Sequence, residues 1–249
     1  LDPKFAAAHA GLADCHATLG YLSFVSPTGA FPLARRHALL AIERDGELAE
    51  PCASLGYVKV YFDWDWPGAE TAFRHAITLD PGWAAAHEWY SIFLLALGRA
   101  GEAAHEIDLA REREPLSLAI NTDLGFFYYY TGQYDEAIKQ LRSVLAMNSD
   151  FAPAHLWLGR SYQQVGRFDD ALGEFSRVEQ RVPEWPVAIA ARGSALGVAG
   201  RRESAKVAIA ELHDLAKRRF GTPYGVALVH AAIADAEAAF NWLEKAFAR

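Results

Sequence analysis

The chain has 249 residues, a net charge of -7 and a pI near 5.7, which argues against binding nucleic acid or anionic membranes through bulk electrostatics. Hydrophobic residues make up 52% of the chain, enough for a continuous core, yet no apolar run approaches the roughly 18 residues of a membrane span. Cys15 and Cys52 form no CxxC motif, and both are predicted to be packed thiols of a cytoplasmic protein rather than a disulfide.

A period of 34 residues runs through the chain. Each period is predicted to contain two helices. The period is clearest in a small residue of the second helix: Ala69, Ala103, Ala137, Ala171, Ala205 and Ala239. Glycines repeat with the same step, at turns (Gly98, Gly132, Gly166, Gly200) and where two helices must approach closely (Gly125, Gly159, Gly193). Such a period predicts a single array of stacked helix-turn-helix repeats. The predicted repeats are 6–48, 49–83, 84–117, 118–151, 152–185, 186–219 and 220–249.

The start of the chain departs from this period. No secretory signal opens it. Leu1-Asp2-Pro3 looks like the end of an earlier repeat, so we expect a longer parent protein. In the first repeat, helices are expected near 6–20 and 31–45, and nine extra residues fall between Tyr21 and Pro32. This segment is interpreted as a long loop that either covers the end of the array or forms a contact site.

The second repeat carries one extra residue within Tyr61–Gly68. Asp65 is predicted to cap the helix that follows, and Pro67 suits the first turn of that helix. Trp64 and Trp66 flank this helix entry, and we interpret them as structural plugs rather than ligand anchors. In later repeats, Pro81, Pro115 and Pro183 end second helices because proline cannot continue them.

The order of these landmarks resembles the tetratricopeptide repeat over essentially the whole chain. In the fourth and fifth repeats it reads Leu124-Gly125, Tyr128, Gly132, Ala137, Leu141, Val144, then His155, Leu158-Gly159, Tyr162, Gly166, Ala171, Phe175, Val178, Pro183. A narrower likeness is to the tetratricopeptide regions of bacterial winged-helix regulators, adenylate or guanylate cyclases and Ser/Thr protein kinases. It is carried by FDWDWPGAETAFRHAI, PLSLAINTDLG and FAPAHLWLGRSY. The resemblance implies an all-α superhelix of about seven repeats that binds partners for a larger bacterial protein.

First helices of such arrays line a concave surface. In the fourth repeat, helical spacing predicts Thr122, Phe126, Tyr129 and Tyr130 on that side. Both faces of several first helices are apolar or aromatic, which predicts an exposed aromatic patch of the kind that binds partners. The alternative is that curvature of the array buries part of it. The residues predicted to bind a peptide are Tyr57, Tyr61, Trp89, Ile92, Phe126, Tyr129, Tyr130, Trp157 and Arg160.

Catalytic and metal motifs are missing from the sequence. HExxH, GxxxxGK[ST], GxGxxG and GxSxG do not occur, and neither a cofactor nor a metal is predicted. His9, His87 and His155 recur at one position of their repeats, which predicts packing at a helix interface rather than ligation. Some tetratricopeptide co-chaperones hold the C-terminal carboxylate of a chaperone with Lys, Arg and Asn in the groove, an arrangement called a carboxylate clamp. This mode of binding is not predicted here, because Arg160 is nearly the only cation at the groove positions.

The sequence therefore predicts a non-enzymatic scaffold that holds a protein or peptide in its groove. The alternative is an oligomerisation or intramolecular regulatory domain of a transcription regulator, cyclase or kinase, with a homo-oligomer as one form. A third hypothesis, an enzyme or small-molecule receptor, requires a deep pocket beside the Tyr21–Pro32 segment.

Overall fold

A computed structural model describes residues 5–218 and 220–247, in which helices form seven consecutive pairs and no strand occurs. The predicted tail Leu1-Asp2-Pro3, and the positions of Arg219 and Arg249, lie outside these residues. The pairs are α1 (Ala6–Tyr21) and α2 (Pro27–Arg44), α3 (Ala49–Val58) and α4 (Trp66–Leu79), α5 (Ala84–Ala96) and α6 (Ala100–Arg113), α7 (Leu118–Tyr130) and α8 (Tyr134–Met147), α9 (Ala152–Gln164) and α10 (Phe168–Arg181), α11 (Pro186–Val198) and α12 (Arg202–Arg218), α13 (Pro223–Ala232) and α14 (Ala236–Phe247). The all-α prediction is confirmed.

The helices form two compact units, Leu1–Asp123 and Leu124–Arg249, whose boundary falls inside α7. In the first unit, α1 packs on α3 and α3 on α5, while α2 and α4 each lie against the helix before and the helix after them. In the second unit, α9, α11 and α13 pack in the same succession. First helices thus form one layer of each unit, and second helices form the other. Side chains on first helices can therefore meet across repeats.

The predicted small residues are the closest points of the helix pairs. Each alanine of the 34-residue series is buried, and five of the six have no exposed area. A Cβ on Gly125 would lie 2.6 Å from Cγ of Leu141, and one on Gly159 would lie 2.6 Å from Cε1 of Phe175. Both partners are fully buried. Glycine is needed at these positions because a side chain there would push the two helices of the pair apart.

The predicted turn glycines adopt one backbone conformation. Gly98, Gly132, Gly166 and Gly200 have φ values of 74°, 76°, 75° and 77°. L-residues with a Cβ rarely adopt this left-handed region, whereas glycine does so freely. In the turn before α8, the amide of Gln133 donates to the carbonyl of Tyr128 at 2.8 Å. The turn therefore reverses the chain within a few residues and sets the two helices side by side.

The segment between α1 and α2 differs from the prediction. The connection is Leu22–Ser26, and most of the extra residues lengthen the two helices: α1 has 16 residues and α2 has 18, with α2 beginning at Pro27 rather than near residue 31. Pro27 suits the first turn because the amide that it lacks would have no partner there. Tyr21 belongs to α1, where its ring meets rings of the next pair. The long-loop prediction is wrong, because proline and glycine were interpreted as breakers although Pro27 starts a helix.

The extra residue of the second repeat is absorbed by a π-helical turn. Lys59–Asp63 continues α3 with this wider winding, and Trp64 ends it in the left-handed conformation at φ 58°. A π-turn accommodates an inserted residue without breaking the helix. The predicted cap of α4 is confirmed: the amide of Gly68 donates to Oδ1 of Asp65 at 3.0 Å. Trp66 packs on Phe93 but is 36% exposed, and Trp64 is 61% exposed, so neither ring is a buried plug.

Cys52 is buried, as predicted, but Cys15 is exposed. Cys15 shares a face of α1 with Gly11 and Leu19, which are exposed as well. No described helix combines the length and the hydropathy that crossing a bilayer would require.

Two glycines of one helix pair provide a test of the packing. Gly159→Ala should lower the free energy of unfolding by about 1–3 kcal/mol because its Cβ overlaps the buried ring of Phe175. Gly173→Ala, in α10, meets no heavy atom within 4 Å and should raise it by about 0.5–1 kcal/mol. Urea unfolding of both variants measures the difference, and equal stabilisation by the two alanines would contradict the close-contact role.

Candidate peptide-binding surfaces

The second unit carries an aromatic cluster on α7 and α9, which we call the Trp157 surface: Phe126, Tyr129, Tyr130, Trp157 and Arg160. The ring of Trp157 lies 4.7 Å from that of Phe126 and 5.4 Å from that of Tyr129. Tyr130, 57% exposed, stands 5.8 Å from the same indole. Spacings of three and four residues bring these side chains to one side of α7. The five residues named from the sequence therefore meet in one place.

Polar groups hold this surface in position. The guanidinium carbon of Arg160 lies 4.5 Å from the ring centroid of Trp157, within cation-π range. Gln164 donates from Nε2 to the hydroxyl of Tyr129 at 3.0 Å. These two contacts hold the rings of Trp157 and Tyr129 in position. Phe126, Tyr129 and Trp157 remain only partly buried. Such a preorganised aromatic patch beside one cation can bind an extended or helical peptide at little entropic cost.

The first unit carries a second cluster, the Trp89 surface, consisting of Tyr21, Tyr57, Tyr61 and Trp89. The ring of Tyr57 lies 4.4 Å from that of Trp89 and 4.9 Å from that of Tyr61. Tyr21 lies 4.9 Å from Tyr61. Sequence reasoning missed Tyr21 because it assigned that residue to a loop.

Two of the predicted residues in this unit lie below the surface. Tyr57 is 4% exposed and Ile92 is 7% exposed. The ring of Trp89 on α5 lies against that of Tyr57. Burial of part of the patch is what the curvature alternative expected. Tyr61 and Trp89 keep partial exposure. Tyr57 therefore supports the rings above it, and Ile92 belongs to the core.

A buried carboxyl pair accompanies the Trp89 surface. Glu88, on α5, is 6% exposed and shares a hydrogen bond with Asp123 of α7. Burial raises the pKa of Asp123 to about 6, although the hydrogen bond with Glu88 acts in the opposite direction. Burial and the charge of Asp123 raise the pKa of Glu88 well above its ordinary value. Each carboxyl of the pair therefore opposes the ionisation of the other.

The recurrent histidines form hydrogen bonds inside the helix pairs. Nδ1 of His155 lies 2.5 Å from Oε2 of Glu174, and its Nε2 lies 2.9 Å from the carbonyl of Ser149. His87 repeats this arrangement in the first unit, with Glu106 at 2.6 Å. Both histidines are at least 95% buried, which confirms the packing prediction for them. No group of three His, Cys, Asp or Glu in the described chain could hold a metal ion.

These two histidines have raised pKa values. For His155, burial lowers the pKa, but Glu174 and the carbonyl of Ser149 outweigh that effect. Their contribution to stability is therefore complete below the unfolded pKa and is lost as the pH rises through the folded one. His9 differs, since its Nδ1 meets Nδ1 of His37 at 2.9 Å. His9 faces α2 without a carboxylate partner of the kind that Glu174 provides.

Helix pairs stacked in two layers, with aromatic surfaces on the first helices, define an α-α solenoid of the tetratricopeptide type. A family model described as tetratricopeptide repeat matches residues 128–194. Residues 128–194 thus match the tetratricopeptide repeat, and the 34-residue period predicted the fold of the helix pairs around them.

Solved structures share this fold. A thermophilic TPR protein of Thermus thermophilus matches with a TM-score of 0.63 and 18% identity, covering 74% of this chain and 98% of that one. PilW, a widely conserved type IV pilus biogenesis factor, matches with a TM-score of 0.61 and 21% identity over 81% of this chain and 92% of that one. The APC/C hetero-tetramer Cut9-Hcn1 gives a TM-score of 0.65 and 14% identity over 98% of this chain and 43% of the other. At these identities the likeness concerns the fold.

A distant relative in sequence is the transcriptional regulator HilA of Salmonella typhimurium (strain LT2), 26% identical over 147 residues. That similarity covers 57% of this chain and 26% of HilA. The chain thus corresponds to about a quarter of the length of that relative. The likeness to bacterial regulators expected from the sequence is present as a partial one.

The carboxyl pair makes a testable contribution to stability. The pKa of Asp123, about 6 when folded, exceeds its ordinary value of 3.8, so ionisation opposes folding and stability falls as the pH rises through this range. Asp123→Asn keeps a hydrogen-bonding group but cannot ionise. It should raise the free energy of unfolding at pH 7.5 by about 1 kcal/mol. Urea titrations at pH 4.5 and 7.5 check this, since the gain should shrink at the lower pH; a gain that grows there would contradict the assignment.

Proposed function

We propose that the chain is a non-enzymatic scaffold whose Trp157 surface holds a segment of a protein partner. Tetratricopeptide domains generally bind proteins and peptides. The observation that carries the proposal is the convergence of four aromatic rings and Arg160 on two first helices, with Tyr130 more than half exposed. Aromatic and arginine side chains dominate binding energy at protein interfaces. The partial similarity to HilA supports a role as the partner-binding or sensory part of a larger bacterial regulatory protein.

Removal of two rings tests this proposal. Phe126→Ala combined with Tyr129→Ala should weaken capture of a bound peptide at least about tenfold, since each lost aromatic anchor costs about 1–2 kcal/mol. The helical circular dichroism should remain, because both side chains are partly exposed. Peptides selected on the wild-type chain from a random library serve as probes, with fluorescence anisotropy as the measurement.

Trp64→Ala is the matched control, because it removes an exposed ring of the other unit. It should leave the affinity of those peptides unchanged. Equal affinities for the wild-type chain and the double variant would refute the assignment of the Trp157 surface.

A second function, self-association, is favoured by the last helix. Of the side chains in α14, Ala239 is buried, while Phe240 is 67% and Leu243 is 40% exposed on neighbouring turns. An exposed apolar face of this kind commonly marks an association site. A second copy of the chain could cover it with the same face, as twofold dimers do.

Light scattering distinguishes this function from monomeric peptide binding. If α14 mediates dimerisation, the mass should rise with concentration for the wild-type chain. Phe240→Ser with Leu243→Ser should then return the mass to that of a monomer. A concentration-independent monomer in the wild-type chain would exclude self-association through this helix.

A further inference from the structure

Charge is divided unevenly between the two helix layers of the second unit. The sequences of α9, α11 and α13 contain neither aspartate nor glutamate. The acids of these three pairs lie on the second helices or in the connections between helices. Although the whole chain has a net charge of -7, the first helices after α7 therefore present no negative side chain.

Arg160 is a cation of this layer that has no carboxylate partner. Arg192, on α11, forms ion pairs with Glu179 and Glu211 of the second helices. Arg160 forms none with residues 5–218 and 220–247, and its guanidinium lies over the ring of Trp157 instead. The N–H groups of a guanidinium lie in its own plane, so contact with a ring leaves several of them for other acceptors. Arg160 can therefore donate two parallel hydrogen bonds to one carboxylate.

Aromatic rings lie beside this guanidinium. The ring of Phe126 is 4.5 Å from that of Tyr130 and stands at 89° to that of Trp157. Arg160 and Phe126 are partly buried, while Tyr130 is 57% exposed. An ion pair formed against these rings would be partly removed from water, where it contributes more than a fully exposed pair does. The surface thus combines one available cation with apolar area on the same side.

We propose that the Trp157 surface binds a peptide segment in which an aspartate or glutamate side chain lies next to an apolar residue. The carboxylate would accept hydrogen bonds from Arg160, and the apolar side chain would pack on Phe126 and Tyr130. Charge complementarity favours this partner, because no acid of α9, α11 or α13 competes for Arg160. This inference rests on the proposed function and names the partner chemistry of its surface.

A side-chain carboxylate fits this place better than the C-terminal carboxylate of a peptide. The other cations on the described helices α7, α9, α11 and α13 are His155, Arg192 and His230, and each already has a carboxylate partner. A terminal carboxylate would therefore find no second cation, whereas one arginine suffices to bind the carboxylate of an internal aspartate or glutamate in a bidentate pair.

The experiment begins with peptides selected on the wild-type chain at pH 7.5 from a random library. Those whose capture is lost in the variant Phe126→Ala with Tyr129→Ala should be enriched in aspartate and glutamate over the starting library. One such peptide that contains glutamate is then synthesised with glutamate and with glutamine at that position. The glutamine peptide should bind the wild-type chain at least about tenfold more weakly, because it has lost the charge that Arg160 pairs with. Amidation of the C-terminus should leave the affinity of the glutamate peptide unchanged.

Arg160→Gln provides the matching change in the protein. It should weaken the glutamate peptide at least about tenfold and add little further loss for the glutamine peptide, because both changes remove one interaction. Binding of the glutamine peptide by this variant with wild-type affinity shows that the rings are still in place. Arg202→Gln, which removes an exposed cation on α12, controls for net charge and should leave all affinities unchanged.

The outcomes separate the two hypotheses. Neutral or basic peptides at the Trp157 surface, or equal affinities of the glutamate and glutamine peptides, would overturn the acidic-segment inference and leave peptide binding intact. Loss of affinity on amidation, without loss in the glutamine peptide, would identify a terminal carboxylate and overturn it as well. Equal losses in Arg202→Gln and Arg160→Gln would attribute the effect to net charge, with the same consequence. If the variant Phe126→Ala with Tyr129→Ala binds every selected peptide as the wild-type chain does, the proposed function itself fails.

Discussion

The contact between the two helices of a pair is the constraint on which the structure depends. At Gly125 and Gly159, the backbone of a first helix lies directly against a buried side chain of the second helix. Each such side chain, for example Phe175, contributes about 1.5–3 kcal/mol when it is removed from water. That contribution requires that no Cβ intervene. A glycine on one helix and a large apolar residue on the other therefore set the distance within the pair, and the alanine series allows equally close packing elsewhere.

This packing leaves one side of the first helices available for other tasks. The interior needs apolar groups, so polar side chains there take partners, as in the hydrogen bonds of His155 to Glu174 and Ser149. The residues of the aromatic surfaces are not determined by the packing within the helix pairs. Trp89 and Trp157 occupy equivalent positions on α5 and α9, but their neighbours differ in charge and hydrogen bonding. One scaffold can thus present two chemically distinct surfaces because its packing does not determine what lies on this side.

The carboxyl pair illustrates the cost of such a surface. Ionisation of Asp123 beside Glu88 opposes folding near neutral pH, and a hydrophobic or amide side chain would be more favourable there. Local conflicts with folding are commonly found at functional sites. The Trp157 surface carries no such conflict, because Arg160 and the rings already interact with one another.

The period in the sequence was sufficient to predict the helix pairs, the turns at Gly98 and Gly132, and the close contacts at Gly125. These features are local or repeat with the chain, and each needs one residue type for a steric reason. Helical spacing also predicted the cluster of Phe126, Tyr129 and Trp157, which lie on successive first helices.

Only the tertiary structure decided what depends on depth and on distant neighbours. It buried Tyr57 and Ile92, brought Tyr21 into the Trp89 surface, and paired Glu88 with Asp123, which are 35 residues apart. It also showed that Pro27 starts a helix and that a π-turn absorbs the extra residue of the second repeat. Spacing specifies the side of a helix on which a residue lies, but burial and pKa depend on the helices packed against it.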